Sequence, residues 1–576
     1  MGPAELAVLI ARLTGVAHEV GEVLRRGAFS PNIKERADCS AALFTAEGTL
    51  LVQAEHIPVH LGSMPASVAA AIDALGDEVV EGEQVILNDP FAGGTHLNDV
   101  TLVTPVFVDA GDGAMPDPVL VGWVANRAHH ADLGGAAPGS LPAEATEIQQ
   151  EGLRIPPVRL TPEVAAIVAA SSRTPTERAG DLDAQVGANR LGAERFAALV
   201  PGLGRLVSEG GEGGDDEGGE VGDVGEAAAR SGDPHADLRA LDEVVAYGER
   251  RMAAALASLP DGTWRFTDVL DSFGPLTHQQ HPTTIALAVT VAGEEVTFDF
   301  GGTDPQRAGN VNAVEAVTAS AVAWSLRSVL DPTIPANGGA LRPVTVVAPP
   351  GTVVAARPPV AVGAGNVEVS QRVADVCLGA LAQVVPERVP AASQGTMNNL
   401  LIGGDGWVSY ETVAGGQGGR PPRPGGGHGA PVPATGSPQP GSGPGVAGQS
   451  GIHTCMTNTR NTPVEAFERA YPVRVLRYRL RRGSGGAGSA PGGDGIERDL
   501  LMLEDVTVSL ITERRASQPW GLAGGEPGAV GENWLLPGGD EDRAERVPDK
   551  CTLRLRAGDV LRMRTPGGGG WGTPPR

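Results

Sequence analysis

Lysine is the residue whose scarcity says most about this chain of 576 residues. Only Lys34 and Lys550 occur, and the sequence holds neither a GxxxxGKS nor a GxxxxGKT string. A phosphate-binding loop needs the lysine of that string and a Schiff-base enzyme needs a reactive amine, so neither class is indicated. If the reaction uses ATP, we therefore expect another chain to bind the nucleotide.

Cysteine is also rare, with four residues and no CxxC pair. The four are scattered along the chain, which indicates neither a zinc ribbon nor a disulfide framework. Cys39 lies next to the candidate site described below, where it is either a nucleophile or a buried free thiol. The buried thiol is the favoured interpretation.

Basic residues are outnumbered, with 44 Lys+Arg against 69 Asp+Glu and a formal net charge of -25. Such a surface repels nucleic acid and anionic lipid, so we expect neither as a partner. No apolar run approaches the ~20 residues of a membrane helix, and the first residues lack the basic start of a secretory leader. The sequence predicts a soluble cytoplasmic protein.

Hydrophobic residues make up 41% of the chain, enough for one or more large cores. Apolar residues at helical spacing alternate irregularly with strand-like runs, which predicts a mixed α/β (α+β) fold. Helices are predicted at residues 6–27, 64–75, 237–259 and 369–384, and strands or hairpins at 41–53, 84–88, 284–300, 497–512 and 550–564.

Four segments are rich in glycine and poor in bulky apolar residues. The acidic stretch at 208–233 is predicted to be a disordered linker or an expanded loop. The other three, at 415–451, 481–495 and 521–546, are predicted to be surface insertions in one compact fold. We therefore expect an N-terminal part at 1–206 with a metal site, a linker or insertion at 207–235, and a C-terminal part of the same domain at 236–576.

Candidate metal ligands gather within residues 30–157. Asp38 precedes an apolar strand, His96 and Asp99 follow a Gly-Gly turn as His-x-x-Asp, and His129 and His130 follow another strand. Two imidazoles with two carboxylates suit Zn, Mn or Fe(II). The alternative is that the histidines only cap or hydrogen-bond local backbone, because His-x-x-Asp alone is a weak pattern.

Other polar residues near these ligands have structural alternatives. Asp89 and Asp132 are predicted to hold turns. His56 and His60 fit a pocket lining and a buried core equally well. One histidine of the 129–130 pair is expected to bind the metal, while the other hydrogen-bonds to a metal ligand or contacts the substrate.

Two later segments are polar enough to contact a substrate. Glu368 and Arg372 lie where the predicted helix at 369–384 begins, and helix capping is favoured over substrate contact. The threonine- and asparagine-rich residues 457–461 are predicted to line either a pocket or an interface.

Several long strings resemble the hydantoinase B/oxoprolinase family. They include SPNIKERAD, QAEHIPVHLGSMPASV, NDPFAGGTHLNDVTLVTPVF, NRAHHADLGG, GNVEVSQRVADVCLGAL, CMTNTRNTPVEAFE and TPGGGGWG. They run in order from near the N-terminus to the C-terminus, so the resemblance covers nearly the whole chain. It implies that this chain is the B-type subunit of an ATP-dependent amidohydrolase.

The resemblance also implies a set of site residues and partners. The positions that match the family's metal ligands are Asp38, His96, Asp99 and His129, which would hold a divalent Zn, Mn or Fe ion. An A-type subunit would bind ATP and phosphorylate the amide oxygen of a cyclic amide of the hydantoin or 5-oxoproline kind. This chain would then open the ring with metal-bound water, with His130 as general base or oxyanion donor.

Two alternatives belong to other classes of function. The first is a subunit of a carboxylase that resembles acetone carboxylase and joins a phosphorylated enolate to carbon dioxide or bicarbonate. The second is a metal-bearing scaffold without catalytic activity, which would only organise its partner.

Overall fold

The computed structural model describes residues 1–54, 57–108, 118–200, 203, 234–422 and 445–575. The acidic stretch predicted at 208–233 therefore lies outside the described residues, as do His56 and residues 423–444 of the Gly/Pro-rich stretch at 415–451. The described part contains four β-sheets interleaved with helices, which confirms the mixed fold class expected from the sequence.

The N-terminal part is built on a six-stranded antiparallel sheet. The strands are β1 (Cys39–Thr45), β2 (Leu50–Ala54), β3 (Val85–Leu87), β4 (Asp99–Val108), β5 (Val119–His129) and β6 (Val158–Arg159), and the helices are α1 (Pro3–Gly27), α2 (Pro31–Lys34), α3 (Met64–Leu75), α4 (Pro162–Ser171) and α5 (Pro175–Leu199). The strand order is β2-β1-β5-β4-β3-β6. Helices α1 and α5 cover one face of this sheet, and α3 packs on the other.

Helix α1 shows why the sequence pattern predicts this layer well. Leu6, Leu13, Val20 and Leu24 recur every four or seven residues, and all are buried against the sheet and α5. Burying a leucine side chain contributes about 1.5–3 kcal/mol. The helix ends at Gly27, where the sequence predicted its end.

The central part combines a second sheet with three helices. The elements are α6 (Pro234–Leu256), β7 (Gly262–Leu270), β8 (Thr283–Ala292), β9 (Glu295–Asp299), α7 (Glu315–Val329), β10 (Val344–Val347) and α8 (Ser370–Leu381). The strand order is β10-β9-β8-β7, antiparallel except for the parallel pair β9 and β10. Helix α8 packs on β7 and β8, and α7 packs on α8.

The C-terminal part contains two antiparallel sheets that share one apolar core. The elements are β11 (Asn399–Gly404), β12 (Trp407–Thr412), α9 (Val464–Ala470), β13 (Val473–Arg481), β14 (Gly495–Met502), β15 (Val506–Ile511), β16 (Glu532–Leu536), β17 (Glu545–Arg546), β18 (Lys550–Leu555) and β19 (Val560–Arg564). The strand orders of the two sheets are β12-β11-β15-β18 and β13-β14-β19-β16-β17.

The glycine-rich segments correct one expectation from the sequence. Their described parts are not surface insertions, because they hydrogen-bond to one another and to residues 566–571, and the segment at 521–546 contributes strands β16 and β17. The backbone bonds include Gly416 N to Pro566 O (3.1 Å), Gly419 N to Gly569 O (2.9 Å) and Gly493 N to Gln417 O (2.8 Å). Glycine is needed here because a Cβ at many of these positions would overlap a neighbouring carbonyl oxygen.

Within the described ranges, no helix combines the length and the apolar character needed to cross a bilayer.

Candidate metal centre

The ends of three neighbouring strands bring the candidate ligands together. Strand β4 begins at Asp99 and β5 ends at His129, and these two residues are direct partners across the antiparallel ladder. Asp38 precedes β1 on the other side of β5, and the His129 amide donates to the Asp38 carbonyl at 3.0 Å. His96 is held in the turn before β4 by the bond from Asp99 N to His96 O at 3.1 Å.

Three ligand atoms form a nearly equilateral triangle. His96 Nε2 lies 3.1 Å from Asp99 Oδ1, His129 Nδ1 lies 3.2 Å from the same oxygen, and the two nitrogens lie 3.2 Å apart. Ligands about 2.0–2.1 Å from a tetrahedral Zn²⁺ lie roughly 3.3 Å from one another. All three side chains are buried, so the residues present fit a divalent ion.

The fourth predicted ligand, Asp38, faces the same space without joining the triangle. Its carboxylate lines the cavity beside Asp99 and His129. Burial raises the pKa of Asp38 to about 7 against the opposing charge of Arg36, whose guanidinium lies 3.9 Å away. Ligation by Asp38 therefore stays a prediction, whereas the other three atoms already converge.

The second oxygen of Asp99 is occupied by protein donors. Oδ2 accepts from Thr95 Oγ1 at 2.6 Å and from Asn366 Nδ2 at 3.0 Å, and His60 Nε2 lies 3.4 Å away. This leaves Oδ1 as the oxygen that faces the two imidazoles. Burial alone would raise the pKa of Asp99, but the charge of His96 and the hydrogen bonds from His129, His60 and His96 lower it well below its usual range.

The two ligand histidines differ in their protonation. Burial lowers the pKa of His129 to about 3, which favours the neutral ring that ligates metals. Burial also disfavours the charged form of His96, but the neighbouring Asp99 outweighs it and the pKa of His96 is raised. The other nitrogen of His96, Nδ1, donates to the carbonyl of Gly363 at 3.3 Å.

A small cavity of about 20 Å³ adjoins the triangle. This is space for about one water molecule. The C-terminal half supplies much of its wall, which the candidate ligands alone do not predict. The lining residues from that half are Asn366, Val367, Met397, Tyr410, Thr412, Met456, Thr457 and Thr459.

Tyr410 forms the most specific part of this wall. Its ring stacks on His129 with a centroid separation of 4.6 Å and an interplanar angle of 14°. The guanidinium carbon of Arg36 lies 4.8 Å from the centroid of the same ring. The tyrosine thus fixes the plane of a candidate ligand from the opposite half of the chain.

Comparison with known proteins identifies the family. The Hydantoinase B/oxoprolinase family profile matches residues 2–209 and 224–574. The chain belongs to this family. Within this hydantoinase B/oxoprolinase chain, the interruption of the match at 210–223 falls inside the acidic stretch.

Three curated relatives differ in how much of their length the chain spans. It is 37% identical to an uncharacterised protein of Methanocaldococcus jannaschii, covering 100% of this chain and 91% of that protein. It is 35% identical to 5-oxoprolinase 1 of Arabidopsis thaliana, covering 99% of this chain but only 42% of that protein. It is 29% identical to a Pseudomonas protein named as the B-type subunit of a D-/L-hydantoinase, covering 99% of this chain and 90% of that protein.

Two solved structures share the fold. The ATP-dependent caprolactamase from Pseudomonas jessenii superposes with a TM-score of 0.81 at 25% identity, covering 100% of this chain and 91% of that chain. Nucleotide-free acetone carboxylase superposes with a TM-score of 0.79 at 18% identity, covering 99% of this chain and 76% of that chain. The second likeness shows the fold alone.

His130 follows the last residue of β5 and lies outside the triangle of ligand atoms. Its Nε2 lies 2.8 Å from Gln185 Oε1 on α5, and it does not line the cavity. Burial and the charge of Arg178 lower its pKa to about 4. In this family member, His60 lines the cavity instead, with Nδ1 2.9 Å from Ser40 Oγ.

The turn and thiol interpretations are confirmed. Asp89 accepts from Phe91 N at 3.0 Å, and Asp132 accepts from Gly139 N at 2.9 Å and from Arg173 at 2.8 Å. Burial raises the pKa of the Cys39 thiol to about 12, which removes its nucleophilic form near neutral pH.

Helix capping by Glu368 and Arg372 is wrong. The Glu368 carboxylate accepts from Met397 N and from Asn399 Nδ2, at 3.1 and 2.8 Å. Arg372 forms buried ion pairs with Asp268 and Glu513, both at 3.2 Å. Both side chains tie the C-terminal half together, and Thr457 and Thr459 of the predicted polar segment 457–461 line the cavity.

Proposed function

We propose that this chain carries the ring-opening site of an ATP-dependent hydrolase that acts on cyclic amides of the hydantoin or 5-oxoproline kind. The observation that carries the proposal is the triangle of His96 Nε2, Asp99 Oδ1 and His129 Nδ1 beside a buried cavity. The names of the family and of its relatives support the class of substrate.

The metal would be held by His96, Asp99 and His129, with Asp38 as the fourth ligand. A divalent ion there, Zn, Mn or Fe, supplies Lewis-acid chemistry that polarises a carbonyl and lowers the pKa of water towards neutrality. Asp38 can give up its proton near neutral pH because its pKa is about 7. It is therefore suited to complete the ligand set.

The attacking water would be positioned by the cavity, which has space for about one water molecule. His129 Nε2 is buried and has no hydrogen-bond partner among the described residues. Tyr410 and the threonines 412, 457 and 459 surround the same space. His60 replaces His130 as our candidate for a proton-accepting group because, of these two histidines, only His60 lines the cavity.

ATP would be used by an A-type partner that phosphorylates the amide oxygen. Lys550 is buried between Glu513 and Asp549, at 2.5 and 3.0 Å, so it is not available to a phosphate. The chain spans less than half of the plant 5-oxoprolinase and most of the Pseudomonas hydantoinase subunit. We also propose a cytoplasmic location, which the four free cysteines fit.

Metal analysis tests the site directly. Purified protein is expected to hold about one equivalent of Zn, Mn or Fe, and a His96→Ala/Asp99→Ala variant is expected to hold almost none, because two of three converging ligands are gone. The matched control is Asp73→Ala/His278→Ala, which removes one aspartate and one histidine that are exposed. Equal metal contents in all three proteins would refute the proposed site.

Product analysis tests the reaction. With an A-type partner, ATP and a cyclic amide, we expect a ring-opened acid by mass spectrometry. Label from ¹³C-bicarbonate in the product would instead support the carboxylase alternative. Full turnover by the His96→Ala/Asp99→Ala variant would support the scaffold alternative.

A further inference from the structure

One short segment of the C-terminal half forms hydrogen bonds with two of the three residues of the triangle. The carbonyl of Gly363 accepts from His96 Nδ1 at 3.3 Å. Three residues later, Asn366 Nδ2 donates to Asp99 Oδ2 at 3.0 Å. Each bond engages the ligand atom that does not face the ion, so each leaves His96 Nε2 and Asp99 Oδ1 pointing inward.

The same segment reaches the third ligand through two intermediates. Glu368 Oε1 accepts from Asn399 Nδ2 at 2.8 Å, and Asn399 Oδ1 accepts from Tyr410 Oη at 2.8 Å. The Tyr410 ring stacks on His129. Residues 363–368 therefore contact or support all three ligands of the triangle.

The backbone of this segment is unusual. Gly365–Val369 is a π-helical turn that leads into α8, and such turns are common at functional sites. Gly365 has no space for a side chain, because a Cβ there would overlap the carbonyl oxygen of Asn312. The turn is thus fixed by close backbone packing against the segment at 310–313.

Glu151 fastens the start of the segment. Its two carboxylate oxygens accept from Val362 N at 3.0 Å and from Gly363 N at 2.8 Å. The residue is 1% exposed, and the two hydrogen bonds offset part of the cost of burying a carboxyl group. Glu151 accepts from the N–H group of Gly363, and the carbonyl of the same residue accepts from His96. Glu151 therefore acts on His96 through Gly363.

We infer that Glu151 and the 362–368 segment are positioning elements that set which atoms of His96 and Asp99 face the metal. The inference rests on the metal site of the proposed function. It assigns a role to Glu151, Asn366 and Gly363 that lies outside the ligand set. Partners of this kind fix the tautomer and orientation of metal ligands, and their loss typically weakens metal binding about 10–100-fold.

Glu151→Gln is the first test. A glutamine keeps the size of the side chain but has one accepting oxygen, so one of the two backbone N–H groups faces an NH₂ group. We expect the dissociation constant for Zn²⁺ alone, measured by chelator competition, to rise about 10–100-fold. The visible spectrum of the Co²⁺-loaded protein, which reports coordination geometry, is expected to change as well.

Glu144→Gln is the matched control. Glu144 also accepts from a backbone amide of a distant segment, Thr552 N at 3.0 Å, but it is exposed and does not line the cavity. Its replacement is expected to leave Zn²⁺ binding and the Co²⁺ spectrum unchanged. The inference is overturned if Glu151→Gln binds Zn²⁺ within roughly twofold of wild type, or if both variants weaken binding equally.

Asn366→Ala decides the matter if Glu151→Gln does not fold. It removes the donor to Asp99 Oδ2, and we expect a weakening of Zn²⁺ binding of about tenfold or more. Unchanged affinity in this variant overturns the inference while the proposed function stands. Absence of Zn²⁺, Mn²⁺ and Fe²⁺ binding in the wild-type protein overturns the metal site itself, and the two failures are thus distinguishable.

Discussion

Burial decides what each titratable residue of the site can do. Asp99 is fully buried, yet its pKa is low because the charge of His96 and hydrogen bonds from the surrounding histidines outweigh desolvation. Asp38 is also buried, and the charges of Arg36 and His96 do not outweigh its desolvation and the repulsion from Asp99, so its pKa rises to about 7. Two carboxylates beside one cavity thus differ in charge near neutral pH.

Glu368 provides a test of this principle away from the metal triangle. Burial, reinforced by the charge of Glu513, raises its pKa to about 8. Because the folded-state pKa lies above the usual value for glutamate, its contribution to stability is fully present below about pH 4.5 and is lost as the pH rises through 8. The free energy of unfolding of the wild-type protein should therefore fall between about pH 5 and pH 8. We expect this fall to be smaller in Glu368→Gln by up to a few kcal/mol.

Urea unfolding of the metal-free protein at both pH values measures this effect. Glu294→Gln, at an exposed hairpin turn, is the control and is expected to leave the pH dependence as it is in wild type. An identical pH dependence in wild type and Glu368→Gln would show that Glu368 is ionised at little cost in the folded protein.

The sequence predicts the metal triangle better than its surroundings. His96, Asp99 and His129 stand in strings that resemble the family's, so they are found without a structure. Asn366 hydrogen-bonds to Asp99, which lies 267 residues away in the sequence. Glu151 acts on His96 through Gly363. Contacts of this kind leave no spacing pattern in the sequence. His129 and His130 are separated by the end of β5: His129 is its last residue and contacts Asp99, whereas the side chain of His130 contacts Gln185 on α5.

At the scale of the element, four helices with an apolar stripe were predicted, whereas α4, α5 and α7 were not. α3 runs over Met64–Leu75 as predicted. α5 was missed because it meets the sheet partly through amides: Gln185 donates to Val100 O at 3.0 Å and Asn189 donates to Leu102 O at 3.1 Å. A helix that buries polar residues against strand carbonyls lacks the hydrophobic period that sequence analysis uses.

The glycine-rich segments were wrongly predicted to be surface insertions for a related reason. Composition alone assigns glycine-rich stretches to flexible loops, but here glycine permits backbones to approach one another. Gly568→Ala would place a methyl group against the carbonyl oxygen of Gln417. We expect it to lower the free energy of unfolding by about 1–3 kcal/mol, measured by urea unfolding, because the crowded backbone cannot move aside.

Gly187→Ala is the control for that variant. Gly187 lies in α5, and a Cβ there meets no atom within 4 Å. Alanine favours the helix over glycine, so we expect a gain of about 0.5–1 kcal/mol. If Gly568→Ala were as stable as Gly187→Ala, the segments at 415–420 and 566–571 would not be packed as closely as described.

At the scale of the whole molecule, the candidate site joins both halves of the chain. The proposed ligands come from residues 38–129, and the support and much of the cavity wall come from 363–459. The division into parts at 1–206 and 236–576 stays a prediction about the chain's organisation. It does not coincide with a division of the site, because neither half contains the site alone.

The proposed division of labour between two proteins leads to the last prediction. In that proposal the A-type partner uses the nucleotide and this chain opens the ring, so the chain alone is expected to release no phosphate from ATP in the presence of a cyclic amide. Addition of the partner should start phosphate release and ring opening together. With the His96→Ala/Asp99→Ala variant, we expect ring opening to fall by at least about 100-fold. Phosphate release should fall with it, because the phosphate leaves the substrate only when the ring opens. ADP formation should continue until the phosphorylated amide accumulates, because the partner's step needs neither residue.

Parallel assays of ADP, phosphate and the ring-opened product measure this coupling. The Asp73→Ala/His278→Ala variant should keep the rates of phosphate release and ring opening equal, as in wild type. Phosphate release by the isolated chain would contradict the assignment of ATP to the partner. Loss of ADP formation as well in the His96→Ala/Asp99→Ala variant, with complex formation intact, would mean that the metal site also controls phosphorylation, and the two steps would then share one centre.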